Sequence, residues 1–250
     1  MRRGPRKASR EGTEGNGWEG SRGPEGWNAA ADDLRQEFVK MDDPRAQAGA
    51  GARNVSLEEA RAEVEIVARR LAMLHLALAK TLTETLGREE GTRLVGEVIK
   101  RYGSMIGEEV RERVESQGLA TEPENYGVGQ SRDLPRFGMH ERAEVLEVHG
   151  ERRVRAYGCT LAKVWRERGE DRLGRLYCYV DPAKYMAYNP DYKLAHVRAI
   201  PDGDPFCELC VQRTTAEERR DFATQGGSWF HIDRCEDAGP ATDPKQPNER

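Results

Sequence analysis

Residues 1–30 contain no leucine, isoleucine, valine or phenylalanine. A segment that poor in large apolar side chains cannot offset its ordering entropy by burial, so residues 1–55 are expected to form a disordered extension. The polar end of the chain, residues 236–250, reads the same way. No apolar run approaches the ~20 residues needed to span a bilayer, so no membrane partner is expected. The basic start Met1-Arg2-Arg3 lacks the following apolar stretch of about 7–15 residues that a secretory leader carries. A cytoplasmic protein is therefore expected, with its five cysteines as thiols rather than structural disulfides. The formal net charge of −4 argues against nucleic acid as a partner. There is no internal repeat and no Gly-rich phosphate loop. What remains, residues 56–235, is one domain's worth of chain.

The residues that are present give a consistent order of elements. Ser56-Leu57-Glu58-Glu59 is a capping-box signature. After it Val64, Val67, Leu71, Leu74, Leu78 and Leu82 recur at helical spacing and predict a long amphipathic helix ending at Leu86-Gly87. A second helix carries Leu94, Val98, Tyr102, Met105 and Ile106 on one face, and Val110 and Val114 extend it. The two form a helical hairpin. Residues 119–138 read as a loop. The period then changes. Residues 143–149 and 153–157 predict one β-hairpin, and residues 194–200 and 206–212 a second. Leu161–Arg168 suits a short helix, Leu176–Val180 a strand or buried apolar segment, and residues 182–187 a helix capped by Asp181. Helices first and hairpins later predict an α+β fold, with the helical hairpin packed on a mostly antiparallel sheet.

Chemistry-bearing residues concentrate in 157–212. They are Cys159; Arg175, Cys178 and Asp181; Tyr188-Asn189-Pro190; and Gly203-Asp204-Pro205-Phe206-Cys207. In this order, behind a helical hairpin with Leu86-Gly87-Arg88-Glu89-Glu90 at its turn, the chain over roughly 57–212 resembles the L-2-amino-thiazoline-4-carboxylic acid hydrolase family. The Gly-Asp-x-x-Cys hairpin is also similar to one in small ligand-binding domains of the 4-vinyl-reductase type.

The resemblance implies a hydrolase that opens a small carboxylated cyclic amidine or isothiourea at a non-peptide C–N or C–S bond. That chemistry needs an activated water or a nucleophile, a proton donor and a cation for the carboxylate. Cys159, Cys178, Cys207, Asp181 and Asp204 are the candidates for the first two roles. Arg175 or Arg198 would bind the carboxylate as a guanidinium fork. Asn189, His196 and His75 complete the candidate set. No cofactor is expected, the partner is a small-molecule substrate, and self-association into a homo-oligomer is left open.

Each residue also has a plainer reading. Cys159 and Cys178 are small enough to be core residues. Asp204 sits in a turn where Asp is locally favoured, and Asp181 precedes Pro182 as a helix cap. His75 lies in a helix stripe, where packing is the default. Cys207-x-x-Cys210 has a two-ligand metal spacing, which Cys159 and Cys178 would complete as a zinc site. Positions 207 and 210 of one strand face opposite ways, however, so no metal is expected. The alternative function on the same fold is a non-catalytic small-ligand or metal-binding sensor.

Overall fold

The computed structural model describes residues 55–135, 137–148, 150–226 and 228–235. The expected disordered N-terminal extension up to residue 54, the tail from 236, and His149 lie outside the described residues. Among the described residues, no helix is long and apolar enough to cross a membrane.

Helix α1 (Leu57–Leu86) starts at the expected capping box, with Ser56 and Glu59 exchanging side-chain and backbone hydrogen bonds. Gly87, at φ 82, separates it from α2 (Arg88–Ser116). The hairpin is as expected, but its buried faces are not the ones the large aliphatics marked. On α1 the core face is Ala68, Ala72, His75, Leu76 and Ala79, while Val67 and Leu74 are 66% and 68% exposed. On α2 the core face includes Gly96, Ile99, Gly103, Gly107, Val110 and Val114, and Met105 points to solvent. Small residues are buried because neighbouring elements come too close for large ones. Trp165 lies against α1 and its indole N–H donates to the Ala72 carbonyl at 3.3 Å. At Gly107 an added Cβ would overlap the Lys184 carbonyl, and at Gly103 it would lie 2.6 Å from the Ala183 Cβ.

Strands β1 (Arg142–Val148) and β2 (Glu151–Tyr157) form the first hairpin. Three helices follow: α3 (Thr160–Glu167), α4 (Asp171–Cys178) and α5 (Val180–Tyr188). The apolar run Leu176–Val180, read as a strand or a buried apolar segment, is no strand but the end of α4 and the start of α5. Its aromatic side chains pack around α1 and α2 rather than in a ladder, with Tyr177 edge-on to His75 at 5.4 Å. Strands β3 (Tyr192–Arg198) and β4 (Cys207–Arg213) make the second hairpin, and α6 (Ala216–Ala223) follows. The sheet order is β1-β2-β4-β3 with every pairing antiparallel, as an α+β fold requires.

The period of two gives the sheet two different faces. Val154, Ala156, Leu194, His196, Cys207, Leu209 and Val211 look toward the helices. On the opposite face Glu208 is buried between Arg153 (2.9 Å) and Arg155 (2.7 Å), and Lys193 pairs with Glu218 of α6. Cys210, on that same face, is joined to Cys235 by a disulfide. The expectation of thiols throughout is thereby corrected: Cys159, Cys178 and Cys207 are free, and Cys210 and Cys235 are paired. The bridge also removes Cys210 from the four-cysteine zinc reading.

Candidate functional site

Between the helices and the inner sheet face lies a cavity of about 900 Å³. Cys159 enters it from the N-cap of α3, Cys178 from the last residue of α4, Asp181 from the first turn of α5, and Cys207 from the first residue of β4. Elements that end at the same place thus deliver four of the five expected catalytic residues to one cavity. Cys178 and Asp181 can share it because the chain turns from α4 into α5 at Tyr179. His196 of β3 faces the same space.

Asp204 does not. Its carboxylate accepts the Ala199 N–H at 3.0 Å and lies 3.6 Å from Arg198, both in a separate polar cleft of about 520 Å³. The pairing register shifts between His196 and Arg198, so Arg198 leaves the inner face it was expected to share with His196. Arg175 also lines the outer cleft, bound to Asp202 at 2.8 Å and to Asp233 at 2.7 Å. Neither arginine is placed for a substrate carboxylate in the inner cavity. Asn189 is occupied elsewhere, donating to Thr121 O in the segment after α2 and accepting from Asp191 N in its own loop. His75 contacts the Leu173 carbonyl through Nε2 at 2.8 Å within the helical core, where burial holds it neutral.

Ion pairs that the sequence reading did not contain run along the cavity wall. Lys184, one turn after Asp181 on α5, lies 2.9 Å from Asp181 and 3.1 Å from Asp133. Tyr126 donates to Asp133 at 2.9 Å. On the other side Asp181 Oδ2 is 3.6 Å from His196 Nε2. His196 Nδ1 in turn meets Asp233 Oδ1 at 3.0 Å. Lys184 and Asp181 were visible as an i,i+3 pair in a helix-capped segment, a weak signal because such pairs are common. Asp133 lies in a loop and Asp233 beyond the last expected strand, and neither carries a motif.

The environments push these groups in different directions. Burial works against charge on Lys184, but Asp181 and Asp133 outweigh it and raise its pKa well above 10.5. Burial also opposes charge on His196, yet Asp233, with help from Asp181, lifts its pKa above 6.5. Asp233 is likewise desolvated, and His196 and Arg175 hold it well below 3.8. His140, lining the cavity near Asp181 and Lys184, is driven the other way, with burial lowering its pKa below 6.5. Burial raises all three free thiols. Cys178 stands well above its ordinary 9.0 despite the nearby Arg175, and Cys207 reaches about 12 although the Ile200 N–H donates to its sulfur. Cys159 is also raised, with the N–H groups of Ala162 and Leu161 acting in the opposite sense. The low-pKa thiolate expected of Cys178 is not what its surroundings produce.

Two histidines line the one cavity, burial pushing His140 toward the neutral ring while Asp233 and Asp181 push His196 toward the imidazolium. Asp181, held by Lys184, lies between them in the electrostatic sense, since it acts on both rings.

A profile of the family described as L-2-amino-thiazoline-4-carboxylic acid hydrolase matches residues 66–211. No curated protein and no solved structure matches the chain. The matched span holds most of α1, everything from α2 to β3 and most of β4, and so every cavity group discussed above; Asp233, in the outer cleft, lies beyond it.

Proposed function

The chain belongs to the L-2-amino-thiazoline-4-carboxylic acid hydrolase family, and we propose that it opens a carboxylated cyclic amidine or isothiourea by adding water to the carbon between the ring heteroatoms. The observation that carries this reading is the pairing of oppositely shifted His140 and His196 around Asp181 in a cavity. Neutral His140 accepts a proton from the attacking water. The water oxygen bonds to the amidine carbon, and the bond from that carbon to ring sulfur or ring nitrogen breaks. The departing atom keeps the electron pair and takes the proton of His196. Asp181, oriented by Lys184, holds the amidine N–H groups through charge-assisted hydrogen bonds. Lys184, 2.9 Å from Asp181, takes over the carboxylate-binding role first assigned to Arg175 or Arg198. Cys159, Cys178 and Cys207 are un-ionised thiols that line the ring's place. A water route fits them better than a covalent one, because burial keeps them from being thiolates at neutral pH.

The test is incubation with L-2-amino-thiazoline-4-carboxylate in ¹⁸O-water, followed by mass spectrometry. Ring opening gives a carbamoyl-cysteine carrying one labelled oxygen. An adduct on Cys159, Cys178 or Cys207 in quenched protein would replace the water route by a covalent one. A second reading, a small-ligand binding domain, is favoured by the same burial of the thiols. It would be marked by saturable binding of the ring compound with no product.

A further inference from the structure

We propose that the substrate of this site is an amphiphile: a polar ring that fits the Cys–Asp–His cluster, carrying an extended apolar group that lies along the rest of the cavity. The inference rests on the hydrolase reading for the ring's chemistry. The apolar group stands on separate observations.

The first is size. About 900 Å³ is near the top of the range, roughly 300–1,000 Å³, that holds drug-sized ligands. A single five-membered ring with its carboxylate and amino group occupies a small part of it.

The second is the direction in which polarity falls off. The sheet floor is read in rows through its register, with Ala156 opposite Cys207, Val154 opposite Leu209, and Leu194 opposite Val211. Cys207 and His196 stand in the first two rows. The rest of the floor is Val154, Leu209, Leu194 and Val211, with Arg152, two residues before Val154 on β2, as the charged group at the far end. From Cys207 to Val211 is four residues, about 13 Å at the strand rise. The roof matches: Val64, Ala68 and Leu71 of α1 face the same cavity over about 10 Å of helix.

The third is exposure. Val67 and Val154 line the cavity while remaining 66% and 37% exposed. Apolar side chains of the lining are thus left facing water, as they would be where a ligand's apolar group lies.

The test uses the full chain and a series of 2-(alkylamino)-thiazoline-4-carboxylates, from the unsubstituted ring to an octyl chain. KM is expected to fall by roughly threefold to fourfold per methylene, the transfer free energy of a buried methylene, until the chain reaches the mouth. The Val211→Phe variant, checked for a cooperative melt, should end that gain at a shorter chain. In parallel, displacement of a dansylated fatty acid by the same series is followed by fluorescence in the wild-type chain. Turnover of the bare ring with a KM flat across the series overturns the amphiphile and leaves the hydrolase standing. Displacement in chain-length order without turnover of any member supports the amphiphile and removes the hydrolase. Neither turnover nor displacement overturns both.

Discussion

One carboxylate oxygen of Asp233 receives both the backbone N–H of His196, at 2.8 Å, and its ring Nδ1, at 3.0 Å. That fixes the ring's orientation and leaves Nε2 directed at Asp181 in the cavity. Asp233 comes from residues beyond the 66–211 family match, so this chain supplies its own orienting group for a histidine within the match.

Asp233→Asn should therefore lower the pKa of His196. On the proposed route, with His196 as the proton donor, the alkaline limb of kcat/KM moves to lower pH, by on the order of one unit. The stability difference between wild type and variant follows from the same pair. The raised His196 contributes in full below its ordinary 6.5 and is lost as pH rises through its folded value. The depressed Asp233 contributes above its ordinary 3.8 and is lost as pH falls toward its folded value. The difference is thus largest between about 4 and 6.5, on the order of 3 kcal/mol because a buried pair loses one partner. Urea midpoints across pH and imidazole NMR titration of both proteins measure it.

The Cys210–Cys235 bridge ties the segment that carries Asp233 to the outer face of the sheet. Reduction, or Cys235→Ser, removes a cross-link between residues 25 apart, worth about 3 kcal/mol by loop entropy. The melting temperature should fall, and the His196 titration should move in the same direction as in Asp233→Asn. An unchanged titration with a lowered melting temperature would show that Asp233 stays docked without the bridge.

Gly107→Ala tests how the site is held. Ala is favoured over Gly in a helix by about 1 kcal/mol. Here its Cβ meets the Lys184 carbonyl. Overpacking costs of about 1–3 kcal/mol should win. Because α5 carries both Asp181 and Lys184, kcat should fall along with the urea midpoint.

A chain beginning at residue 52 should melt like the full chain, because it keeps the Ser56–Glu59 capping box that opens α1 and loses only a segment poor in large apolar side chains. Loss of a cooperative melt, followed by circular dichroism, would show that residues 1–51 pack on the domain.

The α+β order, the helical hairpin and both β-hairpins were legible because each rests on local periodicity and turn chemistry. The grouping of Cys159, Cys178, Asp181 and Cys207 was legible as well, from ordered motifs near element ends, and His196 from its place on an alternating strand. The buried faces of α1 and α2 were not. Large aliphatics define the sequence stripe, whereas close approach of Trp165 and α5 selects alanines and glycines. Leu176–Val180 misled because an apolar run of strand length is equally a pair of buried helix ends. The Lys184–Asp133 and His196–Asp233 pairs join residues distant in sequence, which no local pattern marks. Arg198 was lost to a change of register that no local pattern announces.

Asp181 stands at the centre of the proposed chemistry, so the decisive measurement is single-turnover opening of L-2-amino-thiazoline-4-carboxylate by wild type, Asp181→Asn and Cys178→Ser. Asp181→Asn should slow the step by about 10²–10⁴, with a cooperative melt retained. Cys178→Ser, which keeps the volume of a neutral thiol, should keep most of the rate. The reverse pattern, with Asp181→Asn active and Cys178→Ser inert yet folded, would contradict the acid–base route and make Cys178 the nucleophile.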